Sequence, residues 1–195
     1  GVTIYDSFSY RVDDGTATDS REALVDLPTR VDEGDFSSFY GAYGEQVGYD
    51  TAIIGDINGD GIDDIAITAR QTGGAYTQEG KVNGAYTQEG KVYVVFGRAD
   101  ADMGGGLDMA NLSAREGFII SGGADYAGFG ASVTGLGDID GDGIDDFAVS
   151  NVSPYDQQDS LAPKGVYVIY GRSSGFEFEE NALDIIQNGD GYVLT

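Results

Sequence analysis

Residues 55–67 read GDINGDGIDDIAI, which places four Asp, one Asn and three Gly directly before an apolar run. Residues 137–149 read GDIDGDGIDDFAV, which is the same pattern at the same internal spacing. Carboxylates this close in sequence repel one another, by about 1 kcal/mol for a pair 4 Å apart even in bulk water. A chain that repeats such a cluster needs something that neutralises it, and bound cations would do so.

The overall composition describes a folded and strongly acidic protein. The chain has 34 acidic against 10 basic residues, a net charge of -24, and this charge disfavours nucleic acid and anionic lipid as partners. A hydrophobic fraction of 41% is too high for a disordered acidic tail. The absence of Cys excludes disulfides and thiolate metal sites, and the absence of His removes the commonest general base and zinc ligand. No apolar run approaches the ~20 residues of a membrane helix, so no membrane insertion is expected.

Short β-branched and aromatic runs bounded by Gly, Asp or Asn are typical of strands. The chain has five clear ones: DDIAITA (63–69), KVYVVFG (91–97), EGFIISG (116–122), DDFAVSN (145–151) and GVYVIYG (165–171). Residues 110–116 allow a helical turn, but no longer segment has a 3.6-residue period. The sequence therefore predicts an all-β fold.

An internal repeat organises most of the chain. Residues 47–69 overlay residues 129–151 without a gap, and 90–98 match 164–172. Residues 107–122 match 183–195 with a small gap, which we interpret as two units and the start of a third. A supersecondary unit that recurs beyond ~40 residues predicts propeller blades or a solenoid.

A second repetition lies inside the first unit. GAYTQEGKVN (74–83) is followed by GAYTQEGKVY (84–93). Removing one copy gives the first unit nearly the length of the second. The extra copy is therefore an insertion, either a duplication accommodated in a longer hairpin or loop, or a displayed loop that carries a Tyr.

The two acidic loops have the spacing of a calcium site. Counting each first Asp as position 1, oxygen-bearing side chains stand at positions 1, 3, 5 and 9, with Gly at position 6, and the carbonyl of position 7 adds another oxygen. Calcium prefers six to eight such hard oxygen ligands in a flexible arrangement, whereas Mg²⁺ takes fewer protein ligands. The predicted ligands of two Ca²⁺ ions are Asp56, Asn58, Asp60, Ile62 and Asp64 in the first loop, and Asp138, Asp140, Asp142, Ile144 and Asp146 in the second. Position 8, which is Asp63 or Asp145, is expected to point away from the ion and to orient a neighbouring group.

An EF-hand begins with similar spacing but requires a bidentate acid at position 12 and flanking helices. Here position 12 is Ile67 or Val149, inside a predicted strand, so neither loop is an EF-hand. A solvated Asp/Gly turn is the alternative for a single loop. Two nine-residue matches in equivalent frames favour metal binding at both.

Together, FGASV (129–133), the two loops, and the strands VYVVFG and VYVIYG resemble the FG-GAP repeat, over about residues 40–195. That repeat builds the β-propellers of integrin α-subunits and of related bacterial surface proteins. The resemblance implies propeller-type blades with Ca²⁺ in a hairpin loop of each, held by the ten residues named above. The first unit departs from this pattern at its start, since it has Val47-Gly48 where the second has Phe129-Gly130.

The N-terminal segment is distinct from these units. Residues 5–27 alternate as two strands around a D-D-G turn at 13–15, which predicts a hairpin. It resembles the last hairpin of a cadherin-like or Ig-like module, and an independent hairpin packed on the first blade is the alternative. We assign residues 1–33 to this hairpin and linker, and residues 34–195 to a partial propeller.

The predicted function is that of an extracellular, calcium-stabilised structural or adhesive module of a bacterial surface protein or fibre. No catalytic motif is present and the clustered acids serve as calcium ligands, so the chain is not expected to be an enzyme. The alternative is an accessory propeller of a secreted hydrolase whose catalytic domain lies outside this chain. Two blades do not close a propeller, so either the chain is part of a longer protein or residues 1–27 or 183–195 pair with neighbouring copies by strand addition.

Overall fold

A computed structural model describes residues 12–13, 18–19, 39–40, 47–69, 90–98, 107–122, 128–151 and 164–195. The strands are β1 (Val12–Asp13), β2 (Thr18–Asp19), β3 (Phe39–Tyr40), β4 (Val47–Gly55), β5 (Asp64–Ala69), β6 (Lys91–Val95), β7 (Leu107–Asp108), β8 (Gly117–Ser121), β9 (Phe129–Gly137), β10 (Asp146–Asn151), β11 (Gly165–Ile169), β12 (Glu179–Asn181) and β13 (Gly191–Leu194). A 3₁₀ turn covers Met109–Asn111, and a helix, α1, covers Ala182–Asn188. The all-β prediction is confirmed, and each of the five predicted runs contains a strand.

Two sheets contain most of the strands, and they repeat one arrangement. The first has the order β12-β8-β6-β5-β4 and the second has the order β13-β11-β10-β9. In both, four strands pair in chain order as an antiparallel meander: β4, β5, β6 and β8 in the first, and β9, β10, β11 and β13 in the second. We call residues 47–122 unit 1 and residues 129–195 unit 2.

The end of the chain differs from the prediction. The sequence predicts two units and the start of a third, but β13 pairs with β11 and is the fourth strand of the second sheet. Gly191 and Leu194 stand opposite Ile169 and Val166, as Gly117 and Ile120 stand opposite Val95 and Val92 in unit 1. The segment therefore completes unit 2, because its apolar residues fit the register of the V-Y-V strand before it.

The two sheets pack face to face around one core. Strand pleating sends alternate residues to opposite faces, and the facing residues are apolar in both units. The fully enclosed members are Ile54, Ile57, Ala66, Val92, Val94, Phe118 and Ile120 from unit 1, with Phe129, Val133, Phe147, Val149, Tyr167, Ile169, Ala182 and Ile185 from unit 2. The opposite face of the first sheet has its own core, in which Ile67, Tyr93 and Val95 contact Met109 and Leu112.

Helix α1 was not predicted. Its seven residues run from Ala182 to Asn188, and Asn181 caps them by accepting a hydrogen bond from the Leu183 N–H at 2.8 Å. Gly189 ends the helix at φ 87°, the left-handed conformation of a helix C-cap. Its two termini carried recognisable capping residues, but the segment is too short for a helical period to show.

Two further predictions concern segments that are described only in part. Within the predicted N-terminal hairpin, β1 and β2 pair antiparallel, with Val12 opposite Asp19. Residues 74–89 of the duplicated segment lie outside the described residues. In the described part of the chain, no helix combines the length and the apolar character needed to cross a membrane.

Candidate metal centres

Loop 1 (residues 56–64) joins β4 to β5, and the carboxylate of its first residue organises it. Asp56 Oδ1 accepts hydrogen bonds from the main-chain N–H groups of Gly59 and Asp60, at 2.8 and 2.9 Å. Asp56 Oδ2 accepts from the Gly61 N–H at 2.8 Å. Gly61 has φ 89°, where a residue with a Cβ is strained, so glycine is required at this position. One carboxylate therefore accepts hydrogen bonds from three consecutive N–H groups and holds the loop around itself.

The next two oxygen side chains of loop 1 continue this turn. Asn58 Oδ1 accepts from the Asp60 N–H at 2.9 Å, and Asp60 Oδ1 accepts from the Ile62 N–H at 2.9 Å. Each side chain folds back on the backbone two residues ahead, as Asp and Asn do in turns. This arrangement keeps the side chains of positions 1, 3 and 5 inside the curve of the loop.

Loop 2 (residues 138–146) joins β9 to β10 and repeats these contacts. Asp138 accepts hydrogen bonds from Gly141, Asp142 and Gly143, at 2.7 to 3.1 Å. Asp140 accepts from Asp142 at 3.1 Å, and Asp142 accepts from the Ile144 N–H at 2.9 Å. The two loops, which differ in sequence only at Asn58 and Asp140, therefore share the same hydrogen bonds.

Position 9 of loop 1 is the fully buried Asp64, the first residue of β5. Its two oxygens accept hydrogen bonds from the main-chain N–H groups of Ile57, at 3.1 Å, and Gly97, at 2.8 Å. Burial raises the pKa of Asp64 to about 7, against the lowering effect of these two N–H groups, and the charges of Asp60 and Asp56 raise it further. The negative charge of the Asp64 carboxylate is therefore only partly compensated by the two N–H groups that donate to it.

Position 9 of loop 2 is Asp146, which is also fully buried. Its oxygens accept from the main-chain N–H groups of Ile139, at 2.9 Å, and Gly171, at 2.8 Å. Burial again raises its pKa, while the hydrogen bond from Gly171 lowers it. A cation beside either carboxylate would supply the charge that burial makes unfavourable.

The structure brings three predicted ligands of loop 2 together. Asp138, Asp140 and Asp146 each offer one oxygen, and the three oxygens lie within 4.8 Å of one another. Asp142 lies outside this group. In loop 1 the equivalents of the three are Asp56, Asn58 and Asp64, of which two are carboxylates. The carbonyl oxygens of Ile62 and Ile144, like the side chain of Asp60, stay predicted ligands.

These residues fit a calcium ion. Three carboxylates that converge, one of them buried with a raised pKa, form a hard and anionic set of oxygen donors. Nitrogen and sulfur donors are missing from both loops, which excludes the common zinc environments. The glycines of each loop allow the tight turn that brings the donors together.

The loops also contact each other across the two units. Asp145, at position 8 of loop 2, accepts a hydrogen bond from the Asp56 N–H on Oδ2 at 3.0 Å, as expected for a residue that orients a neighbouring group. A second cross-unit contact was missed from the sequence: Asp50 Oδ2 accepts from the Val133 N–H at 2.8 Å. Asp50 stands where unit 2 has Ser132, and this departure from the repeat was its only sequence signal.

A comparison with known protein families matches part of unit 1. The FG-GAP repeat family matches residues 47–95, which cover β4, loop 1, β5 and β6. The chain therefore contains an FG-GAP repeat. The matched segment includes all five predicted metal ligands of loop 1. Unit 2 has the same meander, the same loop contacts and the same sequence motif as this FG-GAP repeat.

Proposed function

We propose that the chain is an extracellular, calcium-stabilised structural or adhesive module of a bacterial surface protein or fibre, and that each of its two loops binds one Ca²⁺. The observation that carries this proposal is the convergence of Asp138, Asp140 and Asp146, of which Asp146 is fully buried. The FG-GAP repeat supports an extracellular setting, and the net charge of -24 suits a medium rich in divalent cations.

Calcium stabilises such a module by holding two strands together. Loop 1 connects β4 to β5, and loop 2 connects β9 to β10, so each ion would lie at the closed end of a hairpin. A ligand that binds only the folded state adds RT ln(1 + [L]/Kd) to the free energy of unfolding. Extracellular calcium modules bind at ~10⁻⁴–10⁻³ M. Millimolar calcium would therefore be enough to populate both sites.

The packing of the two units supports a propeller-type arrangement. Ile54, Ile57 and Ile120 of unit 1 face unit 2 and are at most 1% exposed. Their repeat equivalents in unit 2 are Leu136, Ile139 and Leu194, which are 38%, 46% and 56% exposed. The face by which unit 1 contacts unit 2 is therefore present again on unit 2, where solvent reaches it.

We propose that a further FG-GAP-type unit covers this second face. The equivalence of the two faces specifies the shape and chemistry of the occupant, because unit 2 itself is the occupant of the first face. Such stacking of units is what a propeller or a fibre requires. The adhesive surface would then belong to the assembled array.

Thermal unfolding with and without calcium tests the proposal. Calcium at ten to one hundred times Kd would add about 1.4–2.7 kcal/mol per site, which raises the melting temperature by about 2–4 °C per kcal/mol for a chain of this length. The expected result is a large fall in melting temperature on adding EDTA, full recovery with Ca²⁺, and much less recovery with Mg²⁺. An unchanged melting temperature in EDTA would contradict the proposal.

A matched pair of variants assigns the effect to the loops. Asp138→Asn removes one charge from the converging carboxylates, and Asp63→Asn removes one charge from an exposed residue at position 8. The first variant is expected to lose about half of the calcium-dependent rise in melting temperature, and the second is expected to keep it. Equal losses would show that calcium acts through general charge screening instead of through the sites.

A further inference from the structure

Asp145 and Asp56 form a reciprocal pair between the two loops. The Asp56 N–H donates to Asp145 Oδ2 at 3.0 Å, and the Asp145 N–H donates to the Asp56 carbonyl oxygen at 3.1 Å. Asp56 is the residue whose carboxylate accepts hydrogen bonds from three N–H groups of loop 1, and Asp145 directly precedes the buried Asp146 of loop 2. The pair therefore joins the first predicted ligand of loop 1 to the residue that directly precedes the last predicted ligand of loop 2.

A second path joins the same two loops. Asp146 Oδ1 accepts from the Gly171 N–H at 2.8 Å, and the next residue, Arg172, donates its N–H to the Ile57 carbonyl oxygen at 2.9 Å. The Ile57 N–H donates in turn to Asp64 Oδ2 at 3.1 Å. Both buried carboxylates at position 9 are thus connected through main-chain hydrogen bonds.

Arg172 is itself held in place, which makes this path stiff. Its guanidinium pairs with Glu180 and Asp190, and it lies 4.4 Å from the ring centroid of Phe176. Gly171 has no room for a side chain, because a Cβ there would lie 2.2 Å from the Asp145 carbonyl oxygen. The connection from Asp146 to loop 1 therefore runs through residues that their own contacts hold in place.

The geometry points to Asp145 as a positioning residue that couples the two calcium sites, so that an ion in loop 2 raises the affinity of loop 1. This inference rests on the proposed calcium binding. An ion at Asp138, Asp140 and Asp146 fixes the backbone of Asp145, which then holds Asp56 in its ligating position. Loop 1 then has less conformational entropy to lose when it binds calcium. This smaller entropic cost raises its affinity for the ion.

Two neighbouring residues show that the contact is specific to this pair of loops. Asp63, the position 8 residue of loop 1, is exposed, whereas Asp145 is half-buried between the units. Gly55 leaves the space that Asp145 occupies, since a Cβ at Gly55 would lie 2.1 Å from Asp145 Oδ2. Its repeat equivalent, Gly137, would bring a Cβ only to 4.0 Å from Asp145.

Calcium titration of the full chain by calorimetry and by ¹H–¹⁵N NMR tests the coupling. The amides of Gly61 and Gly143 donate to Asp56 and Asp138, so each reports the filling of its own loop. Loop 2 is expected to fill first because it carries more ligand charge, so Asp145→Ala should change this first step by less than about twofold. It should weaken the second step, the filling of loop 1, about tenfold, within the usual range of coupling between sites. Asp63→Ala is the matched control and is expected to change neither.

A thermodynamic cycle separates coupling from a merely structural role. In the background Asp138→Asn/Asp140→Asn, loop 2 no longer fills, and Asp145→Ala should then weaken loop 1 by less than about twofold. Asp145→Asn keeps an oxygen that can accept from the Asp56 N–H, so most of the coupling should return. If Asp145→Ala weakens loop 1 equally in both backgrounds, the coupling is wrong.

Gly55→Ala provides a second route to the same answer if Asp145→Ala does not fold. Both Gly55 and Gly137 have positive φ, 79° and 69°, so an Ala at either is comparably strained, but only Gly55→Ala displaces Asp145. Because Gly55 directly precedes Asp56, its effect is measured in the parent and in the Asp138→Asn/Asp140→Asn background. Gly55→Ala should weaken loop 1 more in the parent, and equal losses in the two backgrounds overturn the coupling. If the two loops of the parent chain bind calcium independently, the coupling is wrong but the proposed function stands. If the chain binds no calcium, the proposed function is wrong as well.

Discussion

Asp146→Asn removes the charge of a buried carboxylate whose two oxygens accept separate main-chain hydrogen bonds. Asn has one accepting oxygen, so either the Ile139 or the Gly171 N–H then faces an NH₂ group. A hydrogen bond to a charged group contributes about 1.5–3 kcal/mol. Without calcium the loss is partly offset, because burial has raised the pKa of Asp146 and an uncharged side chain avoids that penalty.

With calcium, the same substitution also removes a ligand of loop 2. Calcium at ten to one hundred times Kd stabilises a site by about 1.4–2.7 kcal/mol, and this contribution is lost when the ion no longer binds. The expected cost of Asp146→Asn is therefore below about 3 kcal/mol in EDTA and greater by about 1.4–2.7 kcal/mol in saturating calcium. The difference between these two costs measures how much calcium in loop 2 contributes to the free energy of unfolding.

Urea unfolding of the parent and of Asp146→Asn, in EDTA and in calcium, gives the cost of the substitution in each condition. Asp63→Asn, at an exposed position of the other loop, is the control and should stay within about 0.5 kcal/mol of the parent in both conditions. If Asp146→Asn costs the same with and without calcium, Asp146 is a structural hydrogen-bond acceptor and not a ligand. That result would refute the reasoning.

Three further predictions follow from differences between the units. Loop 2 has Asp140 where loop 1 has Asn58, and more ligand charge raises calcium affinity. Calorimetry should therefore resolve a tighter site in loop 2 that Asp140→Asn weakens. Equal affinities of the two loops in the parent would contradict this. Ile57→Ala should cost about 2–5 kcal/mol in urea unfolding because Ile57 is buried between the units, whereas the exposed equivalent Ile139→Ala should cost less than about 1 kcal/mol; similar costs would count against inter-unit packing. Leu194→Lys places a charge on the exposed apolar face, so it should reduce any concentration-dependent association seen by light scattering, and undiminished association would exclude that face as the contact.

The strands and the loops could be predicted from sequence because each depends on local chemistry. The V-Y-V runs are short β-branched and aromatic segments that begin and end near glycine, which favours strands, and β6 and β11 lie where these runs predicted them. The Asp and Gly spacing of the loops fixes a turn through hydrogen bonds no more than seven residues apart, such as Ile57 N–H to Asp64. Short-range contacts of this kind are visible in a single sequence.

The relation between the units could not be predicted in the same way. Asp50 and Asp145 reach across 83 and 89 residues of chain to bond Val133 and Asp56. Those contacts depend on how two sheets face each other, which no local pattern encodes. The predicted start of a third unit was wrong because a sequence repeat shows where a unit recurs but not which strand ends it.

Anomalous diffraction from crystals grown in millimolar calcium tests the central claim most directly. Two calcium peaks are expected, one in each loop. The peak in loop 2 should lie about 2.3–2.6 Å from ligating oxygens of Asp138, Asp140 and Asp146, and the peak in loop 1 should occupy the equivalent place beside Asp56, Asn58 and Asp64. Absence of a peak from both loops, with the carboxylates still converging, would contradict the account.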